Sequence, residues 1–311
     1  MKRILVVLYS QTGQLERVAR AIAAPLHEAG HTVDWLRLES QPPYPFPWTF
    51  WSFLDAFPES VRLTPPPLRS WSVAARYDLV LLCWTPWFLS PAPPVAAFLQ
   101  SEAGRAVLRD TPVVTVTAAR NMWVLAQEDV KRMLAGAGAR HSDHVALTDP
   151  GHTLVTVVTT PAWMLTGRRD AVASLPRAGL TDAQVAGSVR FGRALAAAFA
   201  DGSLDGQRPV LTGLGAAQVD PALVMSEKIG RRSFRVWSKI VSAAGGPGAR
   251  TRRPVLAVYV AFLVLMIITV VPVSLAIRTL LKPLMRARLQ AQAAAYERPS
   301  GRGTERLSRF S

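Results

Sequence analysis

Residues 1–38, MKRILVVLYSQTGQLERVARAIAAPLHEAGHTVDWLRL, decide the fold. Ile4 to Leu8 is an apolar run of strand length, as expected of a strand buried on both faces. It is shorter than the hydrophobic region of a secretory leader and no small-residue cleavage site follows, so the reading is a first strand at a native N-terminus. After a polar turn, Leu15, Val18, Ala19, Ile22, Ala23 and Leu26 recur at helical spacing, Gly30 ends the helix, and Val33 to Leu38 returns to strand. Strand, helix and strand in this order make a right-handed crossover between parallel strands.

The alternation continues outward. Leu79 to Cys83 and Val113 to Val116 are short apolar runs, Val145 to Thr148 is a weaker fifth strand, and helical patterns occupy about 92–108, 122–137 and 182–200. The pattern predicts a doubly wound α/β domain over residues 1–205 with a parallel five-stranded sheet. Residues 41–70 interrupt it with eight prolines and seven aromatics, a density that excludes a regular helix or central strand and marks an ordered insertion. Residues 149–180, around TLVTVVTTPAWMLTGRRD, read as a further strand or as a buried loop. Residues 206–253 are expected to be a connector, and 286–311 a basic disordered tail.

The chain has 311 residues, half of them apolar, and a formal net charge of +15. Residues 1–230 carry 21 Lys and Arg against 19 Asp and Glu, whereas 231–311 carry 15 against 2, so the basicity belongs to the C-terminal quarter. That quarter also holds Pro254 to Ile277, 24 residues without a charge, long enough to cross a bilayer as a helix within a membrane segment over 254–285. Just before it, IGRRSFRVWSKIV (229–241) reads as a basic amphipathic helix suited to an anionic membrane surface. These features point to membrane lipids rather than nucleic acid as partners and place residues 1–253 on the cytoplasmic face of the inner membrane. Arg278, Lys282, Arg286 and Arg288 make the far flank positive too, and Pro272 admits either a kinked crossing or a re-entrant turn. One cysteine, Cys83, excludes a disulfide framework and a cysteine-based zinc site; no metal site is expected.

Ligands of an open parallel sheet sit beyond the C-terminal ends of its strands. The first strand delivers Ser10, Gln11, Thr12, Gly13, Gln14 and Leu15 to that edge, where hydroxyls and backbone N–H groups at a helix N-terminus suit a phosphate and would equally cap the helix. This turn resembles the phosphate loop of flavodoxin-like proteins, which implies FMN as cofactor, with Gln14 and Leu15 departing from the usual polar pair. The third strand ends in Thr85, Pro86, Trp87 and Phe88, part of a segment that resembles the Pro-x-Trp-x-x-x-Pro-Ala stretch of flavodoxin-like quinone reductases. The resemblance implies an isoalloxazine bordered by backbone and an aromatic ring; the same aromatics could simply pack the sheet end. The fourth strand leads to Ala118, Arg120 and Asn121, where the resemblance implies a third flavin-bordering loop, here without glycine.

YSQTGQ (9–14), PYPFPWTFWSFLDAFP (43–58), WTPWFLSPAPPVAAFLQ (84–100), VTAARNMW (116–123), VTTPAWMLTGRRD (158–170), RRSFRVWSKI (231–240) and VPVSL (271–275) together resemble the bacterial dialkylresorcinol condensing enzymes. That resemblance implies work beside a ketosynthase partner on an alkylated aromatic or cyclic diketone substrate. A thiolase-type condensation needs a nucleophilic cysteine with histidine partners, and the sole cysteine lies at a buried strand end. A flavin-dependent dehydrogenation that aromatises an alkylated cyclic diketone suits the fold better. His152 and Tyr44 are the candidate catalytic residues. The alternative is a non-enzymatic membrane adaptor whose flavodoxin-like domain has lost FMN.

Overall fold

The computed structural model describes residues 1–205 and 208–311, with side chains described outside 205 and 270–286. Strands β1 (Arg3–Leu8), β2 (Thr32–Arg37), β3 (Leu79–Trp84), β4 (Pro112–Ala119) and β5 (Arg140–Thr148) form one parallel sheet in the order β2-β1-β3-β4-β5. This is the flavodoxin-like doubly wound order, and its switch point lies between β1 and β3. In chain order the helices are α1 (Gln14–Glu28), α2 (Phe50–Asp55), α3 (Phe57–Arg62), α4 (Pro93–Gln100), α5 (Glu102–Leu108), α6 (Val124–Gly136), α7 (Thr153–Thr166), α8 (Asp182–Ala186), α9 (Val189–Ala200), α10 (Pro221–Ala243), α11 (Arg252–Tyr296) and α12 (Leu307–Phe310).

The central strands alternate their apolar side chains between two buried layers. Ile4, Val6, Leu8, Leu79, Leu81 and Cys83 face α1 and α9, while Leu5, Val7, Val80 and Leu82 face α4, α5 and α6. Glycine is required where α9 crosses α1: a Cβ on Gly192 would lie 2.0 Å from the Ile22 carbonyl oxygen. Burial pushes the Cys83 thiol up, so it stays protonated and inert.

Residues 153–166 are neither strand nor loop but the helix α7, started by His152, whose Nδ1 accepts from Leu154 N, and closed by Gly167 at φ 75. Its β-branched run is a poor helix former, yet Thr156, Thr159 and Trp163 recur at helical spacing and bury one face. Strand β5 begins at Arg140 rather than Val145, because the polar run His141 to His144 is satisfied inside the fold. Thr115 Oγ1 lies 3.0 Å from His141 Nε2 and 2.8 Å from His144 Nδ1, and Asp143 accepts from the backbone of Val210 and Leu211. The tail expected to be disordered is docked: Ser300 Oγ donates to Asp143, Arg306 bonds the carbonyls of Val210 and Thr212, and Phe310 enters the core.

The insertion folds onto the domain through α2 and α3, with a capping box between Thr49 and Ser52. Phe57 is fully buried and stacks on Tyr259 of α11 at 4.5 Å. Arg252 at the start of α11 is buried between Asp55 (3.3 Å) and Glu59 (2.7 Å). The inner face of α10 is held on α6, where Arg231 pairs with the fully buried Asp129 and bonds the Leu125 carbonyl at 2.7 Å. Phe234 and Trp237, read as part of a membrane-surface helix, pack against α3 and α11 instead. Pro272, Arg278, Lys282 and Arg286 lie outside the described side chains.

Removing one partner of a buried ion pair leaves the other charge uncompensated, which costs about 3–5 kcal/mol. Asp129→Asn is therefore expected to lower unfolding stability by about that amount, and a denaturant titration of the variant against the native chain in detergent measures it.

Candidate functional site

The C-terminal edge of the sheet carries three loops, after β1, β3 and β4, with the insertion laid across the first two. In the first loop Gly13 adopts φ 76 as the N-cap of α1, and a Cβ there would meet nothing within 4 Å. Among the described residues the backbone N–H groups of Ser10, Gln11, Thr12 and Gly13 have no acceptor in the chain. The hydroxyls of Ser10 and Thr12 make only long contacts, at 3.4 Å, to the backbone N–H of Glu16 and Gln14. Four free N–H groups and two hydroxyls at the positive end of a four-turn helix suit a phosphate or another anion.

Gln14 and Leu15 do not join them. Leu15 lies in the core, and Gln14 clamps Leu180, its amide nitrogen donating to the carbonyl at 3.1 Å and its oxygen accepting from the N–H at 2.9 Å. The departure from the phosphate-loop pattern thus ties the first loop to residues 178–180. Asp149 reinforces that tie by accepting from Gly179 N at 2.6 Å. Gln11 is also engaged: it donates to the Pro45 carbonyl at 2.9 Å and accepts from Trp48 Nε1 at 2.8 Å.

The second loop is a hairpin of two-residue strands, Pro86–Trp87 and Ser90–Pro91, with Thr85 accepting from Ala92 N at 3.0 Å. Its tip residues Phe88 and Leu89 have φ 49 and 61, the left-handed region that bulky side chains avoid. Such strain persists only where surroundings impose it and concentrates at functional sites. Trp87 meets Tyr9, Tyr44 and Trp48 edge-on at 5.7, 5.0 and 5.2 Å, so the insertion and this loop build one aromatic wall. Tyr44, Ser10 and Gln11 line a cleft of about 400 Å³ together with Glu16 and Arg37. Arg37 and Arg20 hold the Glu16 carboxyl down at about 2, so the charge in the first turn of α1 is neutralised by pairing. Burial, then Glu59 and Asp55, raise the Tyr44 phenol, so at neutral pH it is protonated and able to donate a hydrogen bond.

The third loop keeps Ala118 within β4, packed toward the core beside α1. Arg120 reaches the first turn of α7, 3.4 Å from Thr156 Oγ1 and 3.5 Å from the Thr153 carbonyl, and burial lowers its pKa. Met122 supplies, at φ 52, the left-handed turn that a glycine would usually take. His152 caps α7 at an exposed position beside Arg120's contacts and is not among the residues lining the cleft that holds Tyr44.

One group escapes the sequence reading. Glu227 of α10 is buried and lines a recess of about 70 Å³ with Asn121, Trp123, Thr148 and Val219. Its Oε1 accepts from Leu125 N at 2.6 Å, whereas its Oε2 and the Asn121 Oδ1 are buried without a partner. Burial raises its pKa to about 7, against the pull of the Leu125 and Val124 N–H groups and Arg231. A carboxyl poised there can give or take a proton near neutrality. The one available signal was its isolation as the sole acidic residue in an otherwise basic helix. Among the described residues no three metal-ligating side chains come together.

No protein-family model matches the chain, and no curated protein matches it. Solved structures similar to it include a flavoprotein in complex with FMN from Lactobacillus acidophilus, 15% identical, covering 47% of this chain and 93% of that one with TM-score 0.39. A two-electron reduced flavodoxin from Megasphaera elsdenii is 17% identical over 46% and 85%, TM-score 0.29. An NAD(P)H:quinone oxidoreductase from Methanothermobacter marburgensis is 12% identical over 53% and 98%, TM-score 0.30. The strand order β2-β1-β3-β4-β5 by itself defines the fold.

Because Glu227 is raised to about 7 when folded, the fold favours its protonated form. The stability that this group contributes is full below its unfolded value of about 4.5 and is lost as pH rises through 7. Glu227→Gln mimics the protonated form, so at pH 8 it is expected to stabilise the protein by on the order of 2 kcal/mol, with the difference vanishing near pH 4.5; paired melting curves across that range measure it.

Proposed function

We propose that the chain is an FMN-dependent oxidoreductase attached to a membrane at its cytoplasmic face, and that it dehydrogenates an alkylated cyclic diketone, phenol or quinone-like lipid. Dialkylresorcinol or aryl-lipid biosynthesis, beside a ketosynthase, is the setting that the sequence resemblance favours. The observation that carries the reading is the set of free N–H groups from Ser10 to Gly13 at the switch point of the sheet, beside the aromatic wall on Trp87. The first loop fits the FMN phosphate, and Trp87, with Arg120 and Asn121 on the next loop, would border the ring. Bound flavin would supply hydride acceptance.

The chain's own residues supply the rest. Tyr9 and Tyr44, both raised by burial, are hydrogen-bond donors toward an oxygen of a cyclic substrate. Glu227 holds or releases a proton at Oε2 near neutral pH. An alkyl substrate is favoured by the continuous series of ring contacts from Trp87 through Trp48, Phe53, Phe88 and Phe57 to Tyr259 on the apolar helix α11. This series puts the site edge and the apolar helix on one packed layer.

One observation favours the adaptor reading: the insertion already engages the Gln11 side chain and packs Tyr44 and Trp48 on Trp87. Absorbance titration of the full-length protein in detergent with FMN separates the two. The oxidoreductase reading expects saturable binding, reduced at least tenfold by Gly13→Asp, which sets a carboxylate against the phosphate and strains a positive φ. A folded native protein that binds no FMN supports the adaptor.

A further inference from the structure

Among the described residues α11 has one window, Arg252–Thr269, long and apolar enough to cross a membrane, and only 17% of it is buried in the protein. A core helix of a soluble domain would be mostly covered. Here Val264, Leu265, Ile267 and Ile268 are exposed, between 36% and 67%, so the helix leaves the domain with apolar side chains facing outward. The same helix comes back. Ala293 is fully buried with Val224 of α10 and Trp123, and Lys228 of α10 sits over the Tyr296 ring at 5.7 Å.

The two ends of α11 therefore dock on one helix. Phe262 meets Trp237 at 5.2 Å and Tyr296 meets Lys228, and those partners are nine residues apart on α10, about 14 Å along its axis. A straight helix from 262 to 296 would be about 51 Å long, so the two described ends of α11 lie closer together on the domain than a straight helix allows. Beyond it the chain is fixed to the sheet. Ser300 Oγ accepts from His144 N and donates to Asp143, both at 2.8 Å, Glu297 accepts from Val219 N at 2.8 Å, and Phe310 is buried in the core. A crossing segment would separate its flanks by a hydrocarbon core of about 30 Å and strand residues 297–311 away from these partners.

The surroundings of α11 suit an interface. On α10, outside the face docked on the protein, Met225, Ile229, Val236 and Ile240 form a second apolar stripe, 43–58% exposed, flanked by Arg232, Arg235 and Lys239. Where α11 begins, exposed Phe50 and Trp51 stand together with Arg253 over the Trp51 ring at 5.7 Å. An apolar stripe edged by cations, with aromatics and arginine at its border, matches the headgroup layer of an anionic bilayer.

We propose that the chain enters one leaflet as a re-entrant, monotopic attachment, with α10 lying in the headgroup layer and both flanks of α11 on the same side as the sheet. This rests on reading the apolar segment as a membrane attachment and replaces a crossing by a return. The test uses the full chain in membrane vesicles of a single sidedness, with one cysteine added by Glu28→Cys or by Ser311→Cys, both exposed positions, while the native Cys83 is buried. The vesicles are first floated on a density gradient and then treated with a membrane-impermeant maleimide. The expected result is that both variants float and that both are labelled to the same extent, before or only after permeabilisation alike. Labelling of one before and the other only after permeabilisation overturns the re-entrant topology while leaving attachment standing. Failure of the folded protein to float overturns attachment and topology together.

Discussion

The carboxylate of Asp143 is the point on which the chain's long-range order depends. It lies fully buried in the edge strand β5 and accepts from Val210 N, Leu211 N and Ser300 Oγ, three donors from two distant segments. Burial raises it to about 6 in spite of those donors, so the contacts are held in a region water does not enter. Through them the connector and the C-terminal tail both lie along β5, where Ala146 pairs with Ala217 and the sheet edge is covered. Since α11 lies between those two segments, fixing both to one edge obliges the apolar helix to return to the domain it leaves.

Neighbouring side chains keep the surroundings of Asp143 neutral. Burial and the nearby Lys131 push His141 down to about 4, and His144 lies well below its usual value because of burial and His141. Thr115 Oγ1 accepts from Gln127 and can donate to only one of the two imidazoles, so the other must present its N–H. A neutral polar network under the fifth strand thus replaces what a hydrophobic strand would provide by packing alone.

The candidate site shows the same economy of parts at the other edge of the molecule. Gln14 and Gln11, adjacent to the free N–H groups, point their amides away from the cradle, one to Leu180 and one to the insertion. The loop backbone remains available to an anion while the side chains position the layers around it. Strained turns at Phe88, Leu89 and Met122 aim the next two loops, with no glycine to relax them. The insertion joins this edge to the apolar helix α11 through stacked rings and the buried Arg252 pair, so the candidate site and that helix share one packing unit.

The parallel sheet was legible in the sequence because strands buried on both faces are bare apolar runs, and α1 because its apolar residues repeat at 3.6. The phosphate-type loop was legible for a local reason as well: it is contiguous, and Gly13 announces its positive φ. Periodicity could not reveal α7, whose β-branched residues favour strand until tertiary packing overrides them, nor the start of β5, whose polar residues look like loop until Asp143 and Thr115 meet partners from elsewhere. Glu227 and the docked tail were hidden for the same reason. The sequence by itself determined the fold class, the anion-suited loop and an apolar segment long enough for a membrane, since each depends on neighbours in the chain. Only the tertiary structure decided which side chains face the cradle, which carboxyl is poised near neutrality and where the chain's end docks, because each depends on groups far apart in the chain, 166 residues for Gln14 and Leu180 and 157 for Asp143 and Ser300, being buried together.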